Sequence, residues 1–430
     1  MAIISLIVVL FILMFLRVPI GFALAGASAF FIIFVKDAPM MLNLLSQAVV
    51  VTADSFSLLA IPFFMLVGSL MSRSGQAREI IALAEALTGG VAGGLGAAGI
   101  AACMIFAAIS GSGPAVVAAL GGFLIPAMTS RGYSPAYSGA LMAAGATIGP
   151  VIPPSIPMIV YGVSAGTSVI AMFIGGVVPG LMMGLGLIMV NWFISRRRGY
   201  QGLPQEKGWR DLCRAIWDAK LALFLPVIIL GGIYGGLFTP TEAAVVGSVY
   251  ALLIGVFVYR SLNLTGIRAA MIEAGLLSAV VMFILGGSTT FSRLLMMERI
   301  PTIIAASMLE VFSSPLIIML VILVFLLVGG MFLDTISCIV LFTPLFLPIV
   351  KQLGYHPVFF GVLMTVNLCI GFITPPVGVN LYVAQSISKA NFSKLVAEVI
   401  PFIAILMIVM LVILVFPEIV LILPRLLGAM

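Results

Sequence analysis

Charge is scarce in this sequence. Asp, Glu, Lys and Arg make up 8% of its 430 residues, against 63% hydrophobic ones. Soluble domains carry about 25% charged residues, so a water-facing surface cannot be assembled from this composition. Histidine occurs once, as His356. That leaves no histidine cluster for a metal centre and no histidine base inside an apolar run. The four cysteines, Cys103, Cys213, Cys338 and Cys369, are scattered. They lack metal or disulfide spacing and read as small packing residues.

What is present is apolar sequence in long blocks, with a mean hydropathy of +1.32. Uncharged stretches long enough to span a bilayer recur from end to end, which indicates a polytopic all-α membrane protein. A barrel would show weak alternation over segments of about ten residues. The N-terminal MAIISLIVVLFILMF has no basic residue ahead of its apolar stretch. It reads as a retained first span rather than a cleaved signal. The net charge of +6 needs no nucleic-acid partner, because basic residues beside spans set topology.

The expected spans are 2–16, 18–35, 54–72, 136–162 and 169–195, then 219–238, 242–260, 276–294, 357–385 and 396–418. Two further apolar pieces, 91–128 and 314–349, carry polar interruptions, SGSGP at 110–114 and LDTIS at 333–337. Both read as re-entrant hairpins. Segment 38–50 reads as lying along the membrane surface, and QAREIIALAEAL at 76–87 as an interfacial helix. Seven of the twenty basic residues fall between Arg196 and Lys220, which places that loop in the cytoplasm. Tracing outward puts fifteen basic residues inside. Lys36, Arg293, Arg299, Lys351 and Arg425 are the five outside. Both termini then lie on the external face.

The two parts repeat. PAMTSRGYSPAYSGALMAAGATIGPVIPP (126–154) aligns without a gap to PIVKQLGYHPVFFGVLMTVNLCIGFITPP (348–376) at a constant shift of 222. Prolines and glycines match, among them Pro126/Pro348, Gly132/Gly354, Pro135/Pro357, Gly149/Gly371 and Pro153/Pro375. The same shift superposes the two hairpin tips. Each copy has five spans, an odd number, so the second enters the membrane in the opposite sense. The reading is two inverted repeats: 1–195, with hairpin 91–128 and broken helix 136–162, and 219–430, with hairpin 314–349 and broken helix 357–385. A cytoplasmic linker, 196–218, joins them.

Four prolines lie in GATIGPVIPPSIPMIV at 145–160. Proline removes a backbone donor and breaks a helix. At membrane depth such backbone survives only inside protein or beside a wet cavity. Broken helices there offer positive N-terminal ends to an anion and free carbonyls to a cation. Ser110, Ser112, Thr147, Gly149 and Pro150 could supply oxygens from the first copy. Asp334, Thr335, Ser337, Gly371, Thr374 and Asn380 could do so from the second. The alternative for the serines and glycines is close helix packing. For Asp334 it is a helix cap, which is compatible with an ion role. Asp54 and Glu242 read as acids at the N-termini of spans. Arg17-Val-Pro19 reads as a tight turn, and His356 as a loop residue.

The pair SGSGPA with GATIGPVIPPS, and the pair FLDTIS with GFITPPVGVNLYV, resemble the large membrane subunit of tripartite ATP-independent periplasmic (TRAP) transporters. The resemblance covers essentially the whole chain. It implies a fixed scaffold and a moving domain that carries substrate by an elevator motion. It also implies sodium-coupled import of an organic acid across the bacterial inner membrane. The implied partners are a periplasmic substrate-binding protein and a small four-helix membrane subunit, expected as a separate chain. By the resemblance, Ser110, Ser112, Gly145, Thr147 and Pro150 match the first sodium region. Asp334, Thr335, Gly371, Thr374 and Pro375 match the second. Substrate would lie near Ser112, Pro114, Ser155, Thr335 and Asn380. The family includes sialic acid and C4-dicarboxylate systems, and the sequence as a whole leans to the sialic acid ones. The membrane core is expected to hold no Arg or Lys of its own for a carboxylate.

Three rivals stand beside this reading. One is a stand-alone ion-coupled carrier of citrate or dicarboxylates. Another is a passive channel. The third, an intramembrane serine enzyme, fails because a serine nucleophile needs a base within hydrogen-bond reach, so no enzyme is expected.

Overall fold

The computed structural model describes residues 2–88, 92–200, 209–312 and 314–430, and among them there is no strand. The chain opens with α1 (Ala2–Phe15), α2 (Ile20–Phe30, continued by a π turn), α3 (Asn43–Ala53) and α4 (Ala60–Arg73). Then come α5 (Ala77–Thr88), the hairpin pair α6 (Gly94–Ser110) and α7 (Gly113–Ser130), α8 (Pro135–Gly145), α9 (Ile156–Ala165) and α10 (Val169–Arg198). A short α11 (Trp209–Asp218) precedes α12 (Lys220–Tyr234), α13 (Pro240–Leu253, continued by a second π turn), α14 (Leu264–Met297) and α15 (Ile300–Val311). The chain closes with the hairpin α16 (Pro315–Phe332) and α17 (Thr335–Gln352), then α18 (Pro357–Gly371), α19 (Val379–Ser388), α20 (Phe392–Val415) and α21 (Glu418–Leu426).

Local chemistry sets these boundaries. Ser134, Thr239 and His356 each stand just before a proline and accept a hydrogen bond from the first turn of the helix that follows. Proline at the first helical position loses nothing, because that N–H has no intrahelical partner. At α13 the cap is reciprocal. Thr239 accepts from the Glu242 N–H, and Glu242 accepts from the Thr239 N–H at 2.8 Å, as expected for an acid opening a span. Thr239→Ala is expected to cost about 1 kcal/mol, read as a fall in Tm of the purified protein. His356 also behaves as a loop residue: its Nδ1 accepts from the Val358 N–H at 3.2 Å. Burial, helped by Arg425, holds its pKa below the usual histidine range. Arg17 takes φ 63° in the turn between α1 and α2, as its sequence suggests.

The repeat reappears in three dimensions. A shift of 222 carries the bounds of α7 onto α17, and the start of α8 onto the start of α18. Both copies carry a cis prolyl bond, Pro153–Pro154 and Pro375–Pro376. Packing is reciprocal as well: α7 lies against α19, and α17 lies against α9. The copies are therefore interleaved rather than side by side. One group of packed helices takes α1–α4 from the first copy and α12–α14 from the second; the other takes α6–α10 and α16–α20. The groups meet where α4 touches α6 and α9, and where α14 touches α17.

Inside the second group, polar side chains stitch helices together. The Tyr137 hydroxyl donates to Asn191 Oδ1 at 3.0 Å, and Asn191 Nδ2 donates to the Gly93 carbonyl at 3.0 Å. Arg198 and Glu398 join α10 to α20 at 2.9 Å. Without water to compete, such pairs hold helices whose apolar faces gain nothing by leaving lipid.

Several boundaries differ from the sequence reading. Eight helices are long and apolar enough to cross a membrane, or nine if the α11–α12 pair, bent by 61°, counts as one. Three of the eight are hairpin arms, α7, α16 and α17. The first two expected spans are shorter, with 14 residues in α1 and 11 in α2 before its π turn. The span at 276–294 is the middle of α14, which runs 34 residues. In the linker, α10 continues to Arg198 and α11 occupies Trp209–Asp218, while 201–208 lie outside the described residues. So do residue 91 of the first hairpin and Met1 of the first repeat. Asp54 does not open a helix. It follows the last turn of α3, because the chain leaves that helix before entering a 3-10 turn at Phe56–Leu59.

Candidate functional site

Tip one is a turn that only glycine allows. Gly111 takes φ 58° between α6 and α7, and a Cβ there would lie 2.7 Å from the Pro154 carbonyl oxygen. Ser112 is then extended, and α7 starts at Gly113 with Pro114 in its first turn. The tip presses into the first break. A Cβ on Gly149 would meet Ser112 and the Gly113 nitrogen at 3.1 and 3.2 Å. It also meets the other copy, since a Cβ on Gly113 would lie 3.1 Å from the Asn380 amide. Asn380 Nδ2 itself donates to the Ala143 carbonyl at 3.2 Å.

Tip two is built differently. Leu333 and Asp334 are extended, and the Asp334 carboxylate accepts from the Ser337 N–H at 3.0 Å and from the Ser337 hydroxyl. The cap reading therefore holds, and the same carboxylate remains exposed. The second break packs on the hairpin arm: a Cβ on Gly371 would approach the Gly330 carbonyl at 2.7 Å.

Both tips and both breaks meet at one cavity of about 480 Å³. Ser110, Ser112, Pro114, Pro150, Asp334 and Thr335 line it, six of the residues singled out in the sequence. Phe372 brings the second break to the same wall. Gly113, Pro114, Thr335 and Ile336 are first-turn residues of α7 and α17. The positive ends of two helices therefore face the same space.

The other expected residues stand behind this wall. Gly145, Thr147, Ser155, Gly371 and Asn380 are buried and do not line the cavity; Thr374 and Pro375 are half-buried beside it. Thr147 and Thr374 donate their hydroxyls to the carbonyls of Ala144 and Ile370, at 2.6 and 2.8 Å. Ser155 caps α9 and donates to the Pro150 carbonyl. Ser110 Oγ, Thr335 Oγ1 and Asn380 Oδ1 are buried with no hydrogen-bond partner among the described residues. Orphan oxygens of this kind are costly unless something fills them. They suit a hard cation held by hydroxyl and carbonyl oxygen.

Sequence reasoning missed the opposite wall. Gly68, Ser69, Ser72 and Arg73 of α4, with Glu273 and Leu277 of α14, complete the cavity. A Cβ on Gly68 would lie 3.3 Å from Ser110 Cα, so the backbones of α4 and tip one nearly touch. Arg73 overturns the expectation of a core without Arg or Lys. The available signal was a pair of opposite charges, each near the end of a long apolar run.

These features agree with the comparisons. The family described as the tripartite ATP-independent periplasmic transporter, DctM component, matches residues 7–419. The isethionate TRAP transporter permease protein DctMQ of Oleidesulfovibrio alaskensis is 42% identical over 94% of this chain, which spans 63% of that longer protein. The C4-dicarboxylate TRAP transporter large permease protein DctM of Pseudomonas aeruginosa is 39% identical over 88% of each chain. The sialic acid TRAP transporter large permease protein SiaM of Vibrio cholerae is 37% identical over 96% of each. In fold, the chain is similar to the crystal structure of the YdaH transporter of Alcanivorax borkumensis, with a TM-score of 0.62 at 15% identity over 87% of this chain and 88% of that one. With its apolar helices, paired hairpins and broken helices, this chain belongs to the family of TRAP transporter large membrane subunits.

Proposed function

We propose that this chain imports an organic acid across the bacterial inner membrane, coupled to sodium, by an elevator motion. The observation that carries the reading is the convergence of two hairpin tips and two helix breaks on one cavity, with orphan oxygens on Ser110 and Thr335 at its edge. Sodium is a substrate here alongside the acid. Its ligands in the first copy are drawn from Ser110, Ser112, Gly145, Thr147 and Pro150. In the second they are drawn from Asp334, Thr335, Gly371, Thr374 and Pro375. The acid sits between, near Ser112, Pro114, Ser155, Thr335 and Asn380. The N-terminal ends of α7 and α17 favour its negative charge.

Helices α1–α4 and α12–α14 act as the scaffold in this reading, and the hairpins and broken helices move against it. A periplasmic binding protein delivers the acid, and a small four-helix membrane subunit braces the scaffold. Both termini lie in the periplasm. Relatives named for isethionate, C4-dicarboxylates and sialic acid support an acid of this class, and sialic acid is the first substrate to test.

The test is uptake into proteoliposomes by this chain with its small subunit and matched binding proteins. N-acetylneuraminate, succinate and isethionate serve as probes, with and without a sodium gradient. Saturable uptake of at least one acid, falling to background without sodium, is expected. Uptake indifferent to sodium would overturn the coupling. Uptake undiminished without a binding protein would favour the stand-alone carrier.

A further inference from the structure

Arg73 is the last residue of α4, and its Nη2 lies 2.9 Å from Glu273 Oε2 on α14. Ser69, one turn earlier, donates its hydroxyl to the same carboxylate oxygen at 2.7 Å. All three line the cavity that receives both hairpin tips. The two charged side chains are 41% and 49% exposed. An ion pair this open contributes only about 0–1 kcal/mol to stability. Clamping α4 to α14 does not explain it, since those helices already pack together. A charge near membrane depth that is not needed for stability, and that faces a wet cavity, points to the pathway of a solute.

The pair also breaks the internal symmetry. The position 222 residues beyond Arg73 is Leu295, which is 2% exposed. The position 222 residues before Glu273 is Val51. Nearly everything else around the cavity has a counterpart in the other copy; this cation and anion do not. They also mark one mouth. Arg73 leads through a short turn into α5, and α5 packs against α11 of the basic segment. The ion pair therefore lies toward the end of the molecule that carries the basic loop.

We propose that Arg73 is a binding residue for the acidic group of the transported anion at that mouth. Glu273 is its resting partner, displaced when the anion arrives. The proposal rests on the organic-acid reading above. A guanidinium presents five N–H donors in a planar fork that matches two oxygens of one acid. Glu273 occupies one nitrogen, and Nε reaches only Ser69 at 3.5 Å. A second edge of the fork is thus left for a carboxylate or sulfonate. Glu273 keeps the empty site neutral, and exchange of one carboxylate for another lets the solute leave without a deep trap. The negative charge of the solute gains a cation only at this mouth, which gives the two faces of the carrier different affinities.

The experiment uses the full transporter in proteoliposomes, with succinate, isethionate and N-acetylneuraminate as probes. Stability of each purified variant, and the shift in that stability on adding acid, are measured alongside. Arg73→Gln is expected to raise KM about tenfold and to abolish the acid-induced thermal shift. Arg73→Lys, which keeps the charge and guards against misfolding, is expected to fall between it and wild type. Glu273→Gln removes the competitor and is expected to leave KM unchanged or lower. The exchange Arg73→Glu with Glu273→Arg is expected to restore Tm without restoring KM. Equal KM defects in the two single glutamine variants, or a KM restored by the exchange, would make the pair a plain clamp and overturn the proposal. Wild-type uptake with an unaltered KM in Arg73→Gln would sink this proposal alone. No uptake of any acid by wild type would sink both it and the organic-acid reading.

Discussion

Sodium-driven uptake is expected to weaken sharply in Asp334→Asn, while membrane insertion stays intact. The two jobs of Asp334 separate in this variant. Asparagine caps helices about as well as aspartate, so it can still accept from the Ser337 N–H and start α17. What it loses is the charge, in a side chain that lines the cavity beside Thr335. A hydrogen bond or ligand contact to a charged group contributes about 1.5–3 kcal/mol. That corresponds to a loss of roughly ten- to a hundredfold in apparent sodium affinity. The measurement is a sodium titration of uptake at fixed acid, with correct insertion checked by yield and Tm. A sodium curve superimposable on wild type would reduce Asp334 to a helix cap.

Gly111→Ala is expected to abolish transport more completely, by on the order of a hundredfold. Two effects act together. The left-handed backbone at φ 58° costs a non-glycine residue about 1–2 kcal/mol. The new methyl would also sit 2.7 Å from the Pro154 carbonyl oxygen. That oxygen is backbone, held in the first break, so it cannot swing aside as a side chain would. The tip must withdraw from the break, which pulls apart the walls around Ser110 and Ser112. Gly132→Ala is the matched control, because Gly132 has φ 85° with nothing within 4 Å of its would-be Cβ. It carries the strain without the collision and is expected to keep most of its uptake. Equal losses in the two variants would show that backbone strain alone, and not the seating of the tip, sets the defect.

The parts legible in the sequence were those written in proline and glycine. SGSGP and the proline-rich breaks announce where a helix must stop, because these residues act on their own backbone and need no distant partner. The repeat then located the second set. It could have located more. Shifting the interfacial helix at 76–87 by 222 residues falls on α15, which the span drawing left out and the structure places at Ile300–Val311. Depth was harder to read. Ser155 and Asn380 carry suitable oxygens, yet one caps α9 and the other reaches the Ala143 carbonyl across the copies. Spacing along a chain does not say which face of an irregular turn meets the cavity. The opposite wall was hidden for a different reason. Arg73 and Glu273 are 200 residues apart and each sits near a helix end, where a charge ordinarily marks only the edge of the bilayer.

The reciprocal docking of α7 on α19 and of α17 on α9 has a consequence for biogenesis. The first hairpin is synthesised from Gly94 to Ser130, but its neighbour α19 begins only at Val379. At a synthesis rate of 5–20 residues per second, the newborn hairpin waits roughly ten seconds to a minute for that neighbour. Through that interval the insertion machinery, or a water-filled pore, must chaperone the hydroxyls of its tip. A ribosome that stalls midway leaves a half-carrier with nothing to shelter them, and membrane proteases should find it first.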